Sequence, residues 1–132
     1  MEKHLRFAAS LFLLSSLLAG CAKSVPSPWK EMGVPAEHLT NVAAGSNTDH
    51  FLGEYDLAPV SAAKHLQMAL TNKGFAACGD VGKLPNGEAS VLLKKDGVTW
   101  VVMASGADSA SVELRKLRPG IDDARTSATG CR

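Results

Sequence analysis

The histidine and acidic side chains are spaced in a way that predicts neither a catalytic site nor a metal site. His65 lies in a predicted helix, but it has no second histidine at i+4 and no glutamate placed as in the His-Glu-x-x-His motif. The other two histidines in the body of the chain, His38 and His50, are isolated. The adjacent pair Asp122 and Asp123 lies in a polar tail, whereas a glycosidase needs two carboxylates facing each other across a cleft. No serine has a Gly-x-Ser-x-Gly context. We therefore expect no catalytic residue, no metal ligand and no cofactor.

The N-terminus divides into three parts that are typical of a secretory signal. A short start carries Lys3 and Arg6, residues 7–19 are uncharged and mostly apolar, and Leu-Ala-Gly-Cys follows at residues 18–21. A basic start, an apolar run and small residues at the cleavage point describe a signal peptide. The apolar run is too short for a membrane span, which needs about 20 residues.

Leu18, Ala19, Gly20 and Cys21 resemble the lipobox of bacterial lipoproteins, in which a leucine and two small residues precede a cysteine. The resemblance covers residues 1–21. It implies that a diacylglycerol is attached to the Cys21 thiol, that the chain is cut before Cys21, and that the new amino group is acylated. Two or three acyl chains anchor a protein stably, because each buried CH₂ contributes about 0.8 kcal/mol. The alternative is an ordinary signal peptide with an incidental cysteine.

Charge and location narrow the possible partners. Of the 14 basic and 13 acidic residues, only Lys3, Arg6 and Glu2 precede Cys21, so 12 of each sign remain after cleavage. A nearly neutral chain is not expected to bind nucleic acid, which requires a basic surface. Ala22 points to the outer membrane, since lipoproteins kept in the inner membrane tend to have aspartate there. The pair at residues 23–24, Lys-Ser, resembles a retention signal of some Gram-negative bacteria and leaves the inner membrane open.

If Cys21 is acylated, two cysteines remain, Cys78 and Cys131. In an exported protein, an even number of remaining cysteines favours a disulfide. A Cys78–Cys131 bridge would close a loop of about 54 residues and stabilise the fold by up to about 4 kcal/mol. The alternative is a pair of free thiols or a metal site, although no Cys-x-x-Cys spacing supports a metal.

Hydrophobic periodicity predicts one helix and several strands. Ser61 is a candidate N-cap, residues 62–73 carry an apolar stripe at helical spacing, and Gly74 suits the left-handed position after a helix. Residues 88–95 and 98–105 alternate as two strands, and Asp96-Gly97 between them is typical of a two-residue hairpin turn. Further strands are predicted at residues 50–57 and 109–117, and a short one at 75–78.

These elements predict an α+β fold with one helix packed on a small antiparallel β-meander of three to five strands. The chain is too short for two domains. We expect a signal peptide at residues 1–20, a lipidated N-terminus and tether at 21–50, and a small domain with a C-terminal tail at 51–132. Trp29 is unusually apolar for a tether, so that segment is predicted either to be a spacer or to dock on the domain or on a partner.

One predicted strand is apolar on both sides. Besides the side that should face the helix, Val101 and Met103, with Leu92 on the neighbouring strand, form a second apolar side, here called the second face. An antiparallel sheet that packs against one helix should have one buried face and one solvent-exposed face. Either residues 22–57, with Trp29 and Phe51, cover the second face, or it is a partner-binding patch.

The sequence thus predicts a non-enzymatic envelope lipoprotein that acts as an accessory or assembly factor and binds a protein partner in the periplasm. The possible contact residues are Leu92, Val101, Met103 and Trp29. The alternative is a small-ligand-binding or inhibitor module that uses a pocket between helix and sheet.

Overall fold

The computed structural model describes residues 24–118, which form one antiparallel sheet with two short helices. Cys21, Cys131 and the tail acidic pair lie outside the described residues. The helices are α1 (Trp29–Met32) and α2 (Pro59–Thr71). The strands are β1 (Leu39–Val42), β2 (His50–Tyr55), β3 (Ala76–Ala77), β4 (Gly82–Lys83), β5 (Ala89–Lys95), β6 (Val98–Gly106) and β7 (Ala110–Lys116).

The sheet has the strand order β1-β2-β7-β6-β5-β3, and β4 pairs with β5 beside β3. Every strand pair is antiparallel. The described part is therefore α+β or mostly β, and it contains more strands than the three to five predicted. The predicted strands at residues 50–57, 75–78, 88–95, 98–105 and 109–117 correspond to β2, β3, β5, β6 and β7. Strand β4 was missed because it has two residues and no readable alternation, and β1 was missed because it lies in the segment predicted to be a tether.

Helix α2 begins earlier than predicted. Its N-cap is Ala58 and Pro59 occupies the first turn, so Ser61 is not the capping residue. Proline suits this position, because its missing N–H would have no intrahelical partner and its φ is already helical. The helix ends at Thr71, two residues before the predicted end, but the predicted left-handed Gly74 is confirmed. Gly74 has φ +101°, its N–H donates to the Thr71 carbonyl, and the Phe75 N–H donates to the Leu70 carbonyl. These two bonds are the Schellman pattern that satisfies the last carbonyls of a helix.

The central hairpin is confirmed. Asp96 and Gly97 both have positive φ, +51° and +79°, and the strands on either side pair from Lys95 with Val98 to Ala89 with Ala104. Two positive φ angles define the type I′ turn, whose twist matches that of the strands it joins. Local turn chemistry therefore sets the register of β5 and β6.

Residues 24–50 belong to the folded unit, so the boundary predicted at residue 50 is not where packing begins. Val25, Trp29, Val34 and Leu39 are all buried in the same core cluster as helix α2. Trp29 is 1% exposed. The segment that was predicted to be a tether thus supplies a helix, an edge strand and a share of the core.

The main core lies between α2 and one face of the sheet, here called the helix face. Helix α2, with Leu66 and Leu70, packs against β5, β6 and β7. Gly53 of β2 is needed here, because a Cβ at this position would lie 2.6 Å from the Phe51 ring. Within residues 24–118, no helix is long and apolar enough to cross a membrane.

Candidate functional site

The hydrogen-bonded register determines which side chains share the second face, because side chains alternate between the two faces along each strand. Two neighbouring rows cross it. The first row consists of Leu52, Glu113, Met103 and Ser90, and the next consists of His50, Arg115, Val101 and Leu92. The sheet therefore brings an apolar residue, an acid and a base together on the side away from α2.

The Leu92 and Val101 end of the second face is buried. Each of these two side chains is 1% exposed, and Cys78, Met103 and Leu117 pack against them. Cys78 lies beside Leu92, where its N–H donates to the Leu92 carbonyl over 2.9 Å. Leu92 and Val101 thus belong to a second small core and offer a partner almost no surface in this fold.

A groove opens at the other end of the second face, with a volume of about 350 Å³. Six of its eleven lining residues are apolar or glycine, and the other five are two serines and three glutamates. Met103 joins the groove to the buried cluster. The lining residues are Ala43, Leu52, Gly53, Glu54, Glu88, Met103, Ala104, Ser105, Ser111, Val112 and Glu113.

The groove is acidic. None of its lining residues is basic, and its three charged side chains are all glutamates. The nearest base on the second face is Arg115, which is 4% exposed and whose Nε lies 3.2 Å from Glu113 Oε2. That ion pair compensates one carboxylate. Glu54 pairs across the strands with Ser111, so it lies diagonally to Glu113, about 7–8 Å away between backbone positions. Two carboxylates therefore line the same side of the groove.

Trp29 lies on the helix face and not in the groove. Its ring packs edge-on against Trp100 at a centroid distance of 6.1 Å and lies 6.3 Å from the Phe51 ring. Its Nε1 donates to the Asn47 carbonyl over 2.8 Å. Trp29 and Phe51 therefore do not cover the second face. Of the four residues predicted to bind a partner, only Met103 is both on that face and partly accessible.

Two of the three histidines in the body of the chain, His38 and His65, contact each other in the fold. The His38 and His65 rings pack edge-on at 5.3 Å, and His38 Nδ1 lies 2.8 Å from Asp56 Oδ1. His65 Nε2 lies 2.9 Å from the Glu37 carbonyl. These contacts fasten the segment before β1 to helix α2 at the surface. Within the described residues, no group of three histidine, cysteine or acidic side chains is placed to hold a metal ion.

Sequence reasoning missed most of the groove. Leu52, Glu54 and Glu113 look like ordinary strand residues, and Ser105 and Ser111 look like residues near a turn. Alternation within residues 109–117 cannot show that β2 lies next to β7 rather than next to β1 alone. The pairing of these two distant strands creates the site, and only the register of Leu52 with Glu113 reveals it.

Comparisons with known proteins provide no relative. No protein-family model, no curated protein and no solved structure matches the chain significantly. The sheet, the groove and the N-terminal sequence are therefore the observations from which a function is inferred.

Proposed function

We propose that this chain is a lipid-anchored envelope protein that acts as a non-enzymatic accessory or assembly factor and binds a protein partner in the periplasm. The lipobox-like residues Leu18 to Cys21 support the anchor. Ala22 favours the outer membrane, with the folded part facing the periplasm. In this proposal, acylation of Cys21 keeps the folded part close to the membrane, where its partner resides.

The proposal that this chain binds a protein partner rests on one observation, the groove on the second face. Its lining combines apolar side chains, Leu52 and Met103 among them, with charged and hydroxyl groups. Protein interfaces commonly combine apolar contacts with polar groups. Met103 suits such a site because methionine adapts its shape to different partners.

Crosslinking in living cells tests this proposal. A photoreactive amino acid replaces Met103, and a matched control carries it at Met68, which is 66% exposed on helix α2. We expect discrete envelope proteins to crosslink from position 103 and not from position 68. The products should disappear when Cys21→Ser removes the anchor. The same products from both positions, or none from position 103, would contradict the proposal.

The anchor itself is tested by intact-mass spectrometry of the protein purified from membranes. We expect a mass that corresponds to cleavage before Cys21 and to two or three acyl chains. Wild-type protein without acyl chains would rule out the anchor, whatever the groove binds.

A ligand-binding or inhibitor module is the second candidate, and the groove volume is the observation that favours it. About 350 Å³ lies at the small end of the range of ligand pockets. However, the pocket was predicted between helix and sheet, where Ala62, Leu66 and Leu70 are instead fully packed. A small-ligand site would therefore be the same second-face groove. Crosslinking without any protein product would favour this candidate.

A further inference from the structure

We infer that the groove receives a cationic segment of the partner, in which a lysine or arginine lies next to an apolar side chain. This inference rests on the proposed function, because it specifies the partner of the same site. Three observations support it: the sign of the charges that line the groove, the apolar surface between them, and the limited volume.

The charges select a cation. Glu54, Glu88 and Glu113 line the groove and no basic residue does, while Arg115 beside it forms an ion pair with Glu113. Glu54 is exposed, and residues 24–118 provide no ion-pair partner for its carboxylate. Complementary charges across an interface raise the association rate and exclude partners of the wrong sign. An anionic segment would face carboxylates on its approach.

The apolar side chains in the groove indicate that the ligand has apolar surface as well as a positive charge. On the first row of the second face, Glu113 lies between Leu52 and Met103. A ligand in this row therefore meets an acid flanked by two apolar side chains. Lysine and arginine suit this arrangement, because their carbon stems pack on apolar surface while the charged end reaches a carboxylate.

The volume favours a short segment. About 350 Å³ accommodates a few side chains and not a folded element. Ser105 and Ser111 form a cross-strand pair in the lining of the groove, and their hydroxyl groups can hydrogen-bond the backbone of an extended segment. The expected contact is thus a basic residue and its apolar neighbour on a loop or terminus of the partner.

Fluorescence anisotropy with a defined probe tests this inference. The probe is a labelled peptide, Leu-Lys-Val-Arg-Leu, added to the full-length lipidated protein in nonionic detergent, with empty micelles as the background. One control peptide has glutamate in place of both basic residues, and another has serine in place of the three apolar residues. We expect only the first peptide to bind, and its affinity to fall as the salt concentration rises.

Substitutions in the groove test whether the peptide probe binds there. Glu54→Gln removes a carboxylate, and Ser111→Lys places a cation directly opposite Glu54. Each should weaken binding of the probe about twofold to fivefold, the loss typical of one partly exposed ion pair. The matched control is Glu37→Gln, which changes an exposed glutamate outside the groove and should leave the affinity unchanged. Thermal unfolding of each variant verifies that it folds.

The outcomes separate this inference from the proposed function. Equal binding of the glutamate peptide, equal binding of the serine peptide, or no effect of Glu54→Gln and Ser111→Lys would overturn the inference. If a partner crosslinks in cells from position 103 but through an acidic or purely polar segment, the inference is wrong and the proposed function stands. If no peptide binds and no partner crosslinks, both are wrong.

Discussion

Replacing Trp29 by alanine distinguishes a folded N-terminal segment from a tether. Trp29 is 1% exposed and packs against Trp100 and Phe51. Its indole N–H bonds to the carbonyl of Asn47, an exposed residue, so water can replace the indole as the donor after the substitution. The loss therefore comes from packing and from the cavity left in the core.

The expected magnitude is large. Deleting a fully buried tryptophan side chain costs about 3–5 kcal/mol, from lost burial and incomplete collapse of the cavity. The free energy of unfolding of a small domain is about 5–15 kcal/mol, so this substitution removes much of it. If Trp29 lay in a solvated tether, the same change would alter the stability by less than about 0.5 kcal/mol.

Urea unfolding, followed by circular dichroism, measures the difference. With a slope of about 1–3 kcal/mol per molar urea, the midpoint should fall by at least about 1 M. Lys30→Ala is the matched control in the same helix, because Lys30 is exposed and its substitution should leave the midpoint almost unchanged. Trp29→Phe should lie between the two, since it keeps an aromatic ring in the cavity. A midpoint for Trp29→Ala equal to that of wild type would refute the packing of this segment.

Three further predictions concern the second face, the cysteines and the tyrosine. Met103→Asp should weaken binding of the purified partner and lower the melting temperature by only a few degrees; a loss of stability as large as that of a core substitution would mean that this residue is buried core. Non-reducing peptide mapping should find Cys78 joined to Cys131, and free thiols at both positions would contradict the bridge. Burial raises the pKa of Tyr55, the only tyrosine, so its neutral form is favoured in the folded state. Stability should therefore fall as pH rises above about 10, where the unfolded chain loses this proton, and Tyr55→Phe should reduce that fall in melting temperature; an identical fall in both proteins would contradict the assignment.

The elements that follow from local chemistry were predictable. The Asp96-Gly97 turn, the strands beside it and the left-handed Gly74 depend on residues close in sequence, and each is found where the pattern indicates. The start of helix α2 was misplaced, because Ser61 and Pro59 are both good N-terminal signals and the sequence does not rank them. The two-residue strand β4 carries no periodicity of its own and forms only because β5 pairs with it.

The segment before residue 50 shows the limit of composition. Its prolines and its Gly-Ser pair are typical of a linker, while Trp29 and Leu39 are typical of a core. The two signals could not be reconciled without knowing that β1 joins β2 at the edge of the sheet. Because Trp29 is buried on the helix face, it does not cover the second face, as one of the two predictions for that face required.

The sequence by itself determined the N-terminal lipobox resemblance, the near neutrality of the chain, the hairpin and the presence of two apolar sides on β6, because each depends on residue type and short spacing. The tertiary structure alone decided which of those sides is accessible. Pairing of β2 with β7 places Leu52 and Glu54 beside Glu113 and Met103, although about 50 to 60 residues separate them in the chain. Register between distant strands depends on the whole sheet, so no local pattern could have predicted the acidic groove.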